Sequence, residues 1–105
     1  MNTGKVKLLN DALRKDNLGG KIMLTASVSE REDRNEIIQA VRQFDNFCEA
    51  NDPRGEHDFG EVRVNNGIYF WKIDYYDLNY EFHSPNKSDS KVTRRVLTIM
   101  ERGEY

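Results

Sequence analysis

The chain has 105 residues, of which 32% are charged, and a formal net charge of −2 at pH 7. This length fits one domain over residues 1–105 that can bury a core without metal or disulfide crosslinks. The single cysteine, Cys48, excludes an internal disulfide, and no apolar run resembles a signal peptide or is long enough to span a membrane. We therefore expect a cytoplasmic protein.

The first half of the chain predicts a helix, a strand and a second helix. Apolar residues recur at helical spacing in residues 4–16, which predicts an amphipathic helix. Residues 21–28 alternate between two sets of side chains, as a strand does. A capping-box pattern that starts at Ser29 precedes a second helical stretch over residues 32–49, whose apolar stripe includes Cys48. We therefore expect Cys48 to be a core residue rather than a nucleophile.

The clearest single element is a β-hairpin. Asn66-Gly67 is a strong signal for a two-residue type I′ turn, because that turn requires positive φ at both central positions. With this pair at the tip, Val62 lies opposite Trp71. Side-chain alternation places both residues on one apolar face, which we expect to be buried against the helix that carries Val41 and Phe44. The other members of this face are Val64, Tyr69, Ile73 and Tyr75.

The last third of the chain predicts one more strand and one more helix. A short third strand is expected around residues 80–82, before Ser84-Pro85 turns the chain. Apolar residues at helical spacing then predict a final helix over residues 91–102, with N-cap candidates just before it. These elements predict an α+β fold: a small, mostly antiparallel sheet with a central hairpin and with helices packed on one face.

Charge is distributed unevenly along the sequence. Residues 45–81, called the acidic middle below, hold nine acidic and three basic side chains, a net charge of −6, whereas the two flanks together carry +4. Such a surface suits a protein partner with a basic surface and opposes direct nucleic-acid binding. An ordinary solvated surface is the plain alternative. The residues that we expect to contact a partner are Asp52, Glu56, Asp58, Tyr76, Asp77, Tyr80 and Glu81.

The same stretch contains side chains of the types used in acid–base or metal chemistry. These are Glu56, His57, Asp58 and Asp74. In a hydrolase, an imidazole of His57 oriented by Asp74 would activate a water molecule. Specific metal motifs such as HExxH or paired CxxC are absent, and no glycine-rich phosphate loop follows a strand, so we expect no metal and no cofactor. Two hypotheses stay open: a non-enzymatic binding protein, and a small metal-assisted or acid–base hydrolase.

Several blocks of the sequence are distinctive, above all NDPRGEHDFG (51–60) and WKIDYYD (71–77). Further blocks are LNDALR (9–14), GGKIMLTASV (19–28), AVRQFDNF (40–47), SP (84–85), VTRRVLTIM (92–100) and the terminal EY. In these blocks, which span nearly the whole chain, it resembles a family of small bacterial proteins catalogued only as a domain of unknown function. Where this chain reads SPNKSDSK, that family is more proline-rich and acidic.

The resemblance implies no established activity. It does imply an association with plasmids and other mobile elements, and hence an accessory or host-interference role. One form of binding function that fits is an inhibitor that covers a basic nucleic-acid-binding site on a host defence complex, as anti-CRISPR proteins do.

Overall fold

The chain forms a four-stranded sheet with helices on one face, described for residues 2–105 in a computed structural model. The strand order across the sheet is β1-β4-β3-β2, with β1 and β4 parallel and the other two pairs antiparallel. This confirms the predicted α+β class. The elements are α1 (Thr3–Asp16), β1 (Lys21–Leu24), α2 (Ala26–Ser29), α3 (Arg34–Gln43), β2 (Phe59–Val64), β3 (Gly67–Tyr76), β4 (Arg94–Glu101) and a terminal 3₁₀ turn (Arg102–Glu104).

The core lies between the sheet and the helices, with Trp71 at its centre. The Trp71 side chain is fully buried, and the rings of Phe44 and Phe47 meet it edge-on, with centroids 5.7 and 6.1 Å away. Val41 on α3 and Val62 on β2 are buried in the same cluster. The predicted burial of the hairpin face against the Val41 and Phe44 segment is therefore confirmed.

The hairpin turns one residue earlier than predicted. Both residues of Asn65-Asn66 have positive φ, 49° and 72°, so this pair forms the tip. Val62 therefore pairs with Tyr69, and Gly60 pairs with Trp71, so the predicted pairing of Val62 with Trp71 is wrong. The shift of two residues leaves every side chain on its predicted face, because side chains alternate with a period of two.

The predicted last helix over residues 91–102 is wrong, because this segment forms β4 in the middle of the sheet. Arg95, Leu97 and Ile99 alternate along β4 and are all buried towards the helices. The predicted third strand around residues 80–82 is also absent from the described part of the chain.

The predicted first strand over residues 21–28 ends at Leu24, because the chain turns into α2. The second helix, predicted over residues 32–49, is shorter and spans Arg34–Gln43, with Asp33 rather than Ser29 at its N-cap.

A buried side chain from α1 closes the C-terminal end of α3. The guanidinium of Arg14 donates hydrogen bonds to three carbonyl oxygens there, those of Val41 (3.0 Å), Arg42 (3.0 Å) and Phe44 (2.7 Å). These bonds satisfy carbonyl groups that a helix end otherwise leaves free. Cys48 follows in the next loop and is exposed, so the expectation of a core position for Cys48 is wrong.

Candidate functional site

The four side chains of the hydrolase hypothesis lie in two separate places. Asp74 comes directly after the buried Ile73 on β3, so side-chain alternation places it on the helix-free face of the sheet. There it pairs with Lys72 (Nζ–Oδ2 3.2 Å). His57 lies on the helix-covered side, where its ring stacks on Phe47 with 3.7 Å between centroids. The sheet therefore separates the imidazole from the carboxylate that was expected to orient it.

Both ring nitrogens of His57 face other carboxylates. Nδ1 lies 2.9 Å from Oδ1 of Asp11, and Nε2 lies 3.6 Å from Oδ2 of Asp52. Asp52 also accepts hydrogen bonds from the backbone N–H groups of Glu56 and His57, both at 3.1 Å. These contacts hold His57 at a φ of 56° and tie its loop to α1. The imidazole therefore serves the fold, and neither nitrogen is directed at an open site.

Glu56 and Asp58 belong to a buried polar network beneath this loop. Glu56 is 4% exposed and pairs with Lys87 at 2.7 Å. The Tyr75 hydroxyl donates to Oδ2 of Asp58 (3.2 Å) and accepts from Nδ2 of Asn10 (2.8 Å). Burial raises the pKa of the Asp58 carboxyl, and it also raises the pKa of the Tyr75 phenol. Glu56, which is buried, and Asp58, which is half-buried, are thus each engaged by another side chain of the protein.

Arg95 completes the network from β4. Its Nε donates to Oδ1 of Asn10 at 2.7 Å, and its Nη2 donates to the carbonyl oxygen of Lys87. Sequence reasoning missed Asn10, Lys87 and Arg95. A signal existed for Asn10, because it stands four residues after Val6 and three before Leu13, on the apolar stripe of α1.

The other four expected contact residues lie at the end of β3. The ring of Tyr76 lies 6.1 Å from the ring of Tyr80. The Asp77 carboxylate accepts the backbone N–H groups of Asn79 (3.1 Å) and Glu81 (3.0 Å), so it fixes a turn. The side chain of Glu81 extends from this turn and is exposed.

Residues 77–82, called the tyrosine loop below, expose three large apolar side chains. Leu78 is 46% exposed, Tyr80 42% and Phe82 72%. The backbone N–H of Asp77 closes the loop on the carbonyl oxygen of Phe82 at 2.8 Å. Tyr80 has a φ of 59°, in the left-handed region that bulky residues rarely adopt. Strained backbone that its surroundings hold in place is typical of functional sites.

The acidic middle is less acidic as a surface than its sequence count indicates. Five of its nine carboxylates make the contacts described above, and Glu61 pairs with Arg63 at 3.3 Å. Lys87 neutralises Glu56 from outside the segment. Within the described residues 2–105, the acidic side chains of this segment without an ion pair or hydrogen bond are Asp45, Glu49 and Glu81.

Two further properties bear on function. Across residues 2–105, no group of three or more His, Cys, Asp or Glu side chains is placed to hold a metal ion. No helix in that same part of the chain has the length and apolar character needed to cross a membrane.

Residues 23–104 match the profile of a family described as Protein of unknown function (DUF3768). The matched range includes α2, α3, β2, β3, β4 and the tyrosine loop, whereas α1 lies before it. No curated protein and no solved structure matches the chain.

Proposed function

We propose that this chain, which belongs to the family described as Protein of unknown function (DUF3768), is a small non-enzymatic binding protein. In this proposal the tyrosine loop, together with Tyr76, contacts a protein partner. The observation that carries the proposal is the exposure of Leu78, Tyr80 and Phe82 within one short loop that a backbone hydrogen bond closes. Apolar and aromatic side chains grouped at the surface of a soluble protein mark contact sites.

The loop is held in one conformation before any partner arrives. The Asp77 carboxylate binds two backbone N–H groups, and the backbone contact between Asp77 and Phe82 closes the turn. A preformed loop loses less conformational entropy on binding than a flexible one does. Tyr80 has positive φ within this loop, a backbone conformation that costs free energy in a bulky residue.

A partner with a basic surface suits this loop. Its charged residues are Asp77 and Glu81, and it contains no basic residue. Nζ of Lys21 lies 4.6 Å from the centroid of the Tyr80 ring, so a cation of the chain already covers this face of the ring, and the attraction to a basic partner rests on Glu81. The concrete form that we propose is an inhibitor, acting in the cytoplasm, that covers a basic nucleic-acid-binding site on a host defence complex. The resemblance to proteins of mobile elements supports this choice.

The test first uses the full chain as bait to isolate a partner from cytoplasmic extract. The affinities of the parent and of its variants for the purified partner are then measured. We expect Tyr80→Asn and Phe82→Ser each to weaken binding by about tenfold or more, as central aromatic contacts do. Asn tolerates the left-handed backbone, so Tyr80→Asn should not lower the free energy of unfolding. The matched control is Leu8→Ser, since Leu8 on α1 is 67% exposed and lies outside the loop.

Electrostatic attraction to the partner is tested separately with charge reversals. Glu81→Lys should slow association at low salt, with the difference shrinking as salt is added. Glu49→Lys is the control, because Glu49 is also exposed and also unpaired within the described residues but lies before β2. Binding that is unchanged by Tyr80→Asn and Phe82→Ser would exclude the loop as the contact surface. Equal effects of the two reversals would exclude steering by Glu81.

A further inference from the structure

A pocket of about 360 Å³ opens where the start of β1 meets the start of β4. Lys21 and Arg94 line it from these two strands, and Ser90 adds a hydroxyl group from the preceding loop. Tyr80 of the tyrosine loop forms another wall. Gly19 and Gly20, in the connection between α1 and β1, also line the pocket. Among residues 2–105 no carboxylate lines the pocket, so its charged side chains are all positive.

The two exposed cations of this pocket have no carboxylate partner among residues 2–105. Lys21 rests its ammonium over the Tyr80 ring, 4.6 Å from the centroid. Arg94 donates from Nε to the carbonyl oxygen of Leu78 at 3.4 Å, a long hydrogen bond that leaves the rest of its guanidinium available. Unpaired cations brought together in one concavity repel each other and attract anions.

Arg95 also borders the pocket, but its guanidinium lies on the other face of the sheet. Side chains alternate along β4, so Arg95 points towards the helices whereas Arg94 points to the helix-free face. On the helix side the Arg95 guanidinium donates to Asn10 and to the carbonyl oxygen of Lys87. Among the described residues, the positive charge of the pocket therefore comes from Lys21 and Arg94.

We propose that this pocket binds a phosphate-type anion. The guanidinium fork of Arg94 and the ammonium of Lys21 would contact the phosphate oxygens, and the hydroxyl of Ser90 would donate a hydrogen bond. Gly19 leaves the backbone side open, because a Cβ there would meet no atom within 4 Å. The proposal does not depend on the proposed protein contact, but the two share Tyr80, and an anion bound in the pocket would neutralise Lys21 and Arg94, which would otherwise repel a basic partner at this loop.

The phosphate could be a free anion or the end group of an ester, and two probes separate these sources. Inorganic phosphate and phenyl phosphate are titrated into the isotope-labelled full chain, and amide chemical shifts of residues around the pocket are followed by NMR. We expect saturable shifts centred on Gly19, Gly20 and Thr93, weakening as ionic strength rises. Tighter binding of phenyl phosphate that Tyr80→Asn abolishes would identify an ester as the ligand, whereas equal affinities would identify the free anion.

Variants decide whether the pocket itself is the site. Arg94→Gln should weaken binding of both probes by about tenfold, since it removes a charge-assisted contact. Arg34→Gln is the matched control, because Arg34 is also exposed and also donates one long bond, 3.3 Å, to a carbonyl oxygen. Lys21→Gln should act in the same direction as Arg94→Gln. Shifts that do not saturate, or equal affinities of the Arg94→Gln and Arg34→Gln variants, would overturn the proposal.

Discussion

A methyl group added at Gly60 tests the register of the hairpin and the packing of its core at once. In the observed pairing, Gly60 lies opposite Trp71, and a Cβ on Gly60 would stand 2.5 Å from Nε1 of Trp71 and 3.0 Å from Cε1 of Phe44. Both rings are held by packing, so neither can move aside freely. Overpacking of this kind typically costs about 1–3 kcal/mol, and we expect Gly60→Ala to lower the free energy of unfolding by that amount.

Most of the conflict should disappear when the indole is removed, because the remaining contact with Phe44, at 3.0 Å, is the mildest of the three. In a Trp71→Leu background, which itself loses core volume, the added cost of Gly60→Ala should fall to about 0.5 kcal/mol or less, giving a positive coupling between the two sites. Urea unfolding followed by far-UV circular dichroism measures all four proteins, since the variant lacks the tryptophan needed for fluorescence. Gly103→Ala is the control, because open space surrounds Gly103. An equal cost of Gly60→Ala in both backgrounds would refute the register.

Two further predictions concern the buried polar network. Burial raises the pKa of Asp58 above its ordinary 3.8, so the folded protein binds the carboxyl proton more tightly than the unfolded chain does. The protein therefore loses stability as pH rises from the unfolded-state pKa through the folded-state pKa of Asp58. Asp58→Asn, which keeps an acceptor for Tyr75, should therefore match the parent in acid and exceed it at neutral pH in urea unfolding measured across pH. Lys87→Met should lower the free energy of unfolding by about 3 kcal/mol, because it leaves Glu56 buried without its partner. Thermal unfolding should show that adding Glu56→Gln to this variant restores much of the lost stability.

The hairpin was predictable because its signals are local. Alternation of side chains around Trp71 fixes which face is apolar, and that face does not change when the register moves by two residues. The exact turn was not predictable, because Asn65-Asn66 competes with Asn66-Gly67. A contact distant in sequence favours the first pair: the Asn65 amide donates to Asp33 at 3.3 Å and to Glu36 at 3.0 Å.

The identity of β4 depended on neighbours that are far away in sequence. Its apolar residues fit both a helical period and a buried strand, as short apolar runs often do. The strand lies between β3 and β1, and Lys21 of β1 pairs with Val96. No local feature of residues 91–102 indicates that β1 and β3 flank this segment. Arg95 makes the strand harder to recognise, because arginines are seldom fully buried whereas the guanidinium of Arg95 is buried on Asn10.

The candidate site shows the same limit in terms of charge. Counting charges along residues 45–81 treats each carboxylate as a surface group, but a buried or capping carboxylate contributes little to the field that a partner meets. Lys87 neutralises Glu56, and the Asp77 carboxylate accepts hydrogen bonds from two backbone N–H groups of its own turn. Among the described residues, what remains at the end of β3 is a set of exposed rings with one free carboxylate, that of Glu81. Affinity at such a surface should therefore come mainly from apolar contact, with charge acting on the rate of association.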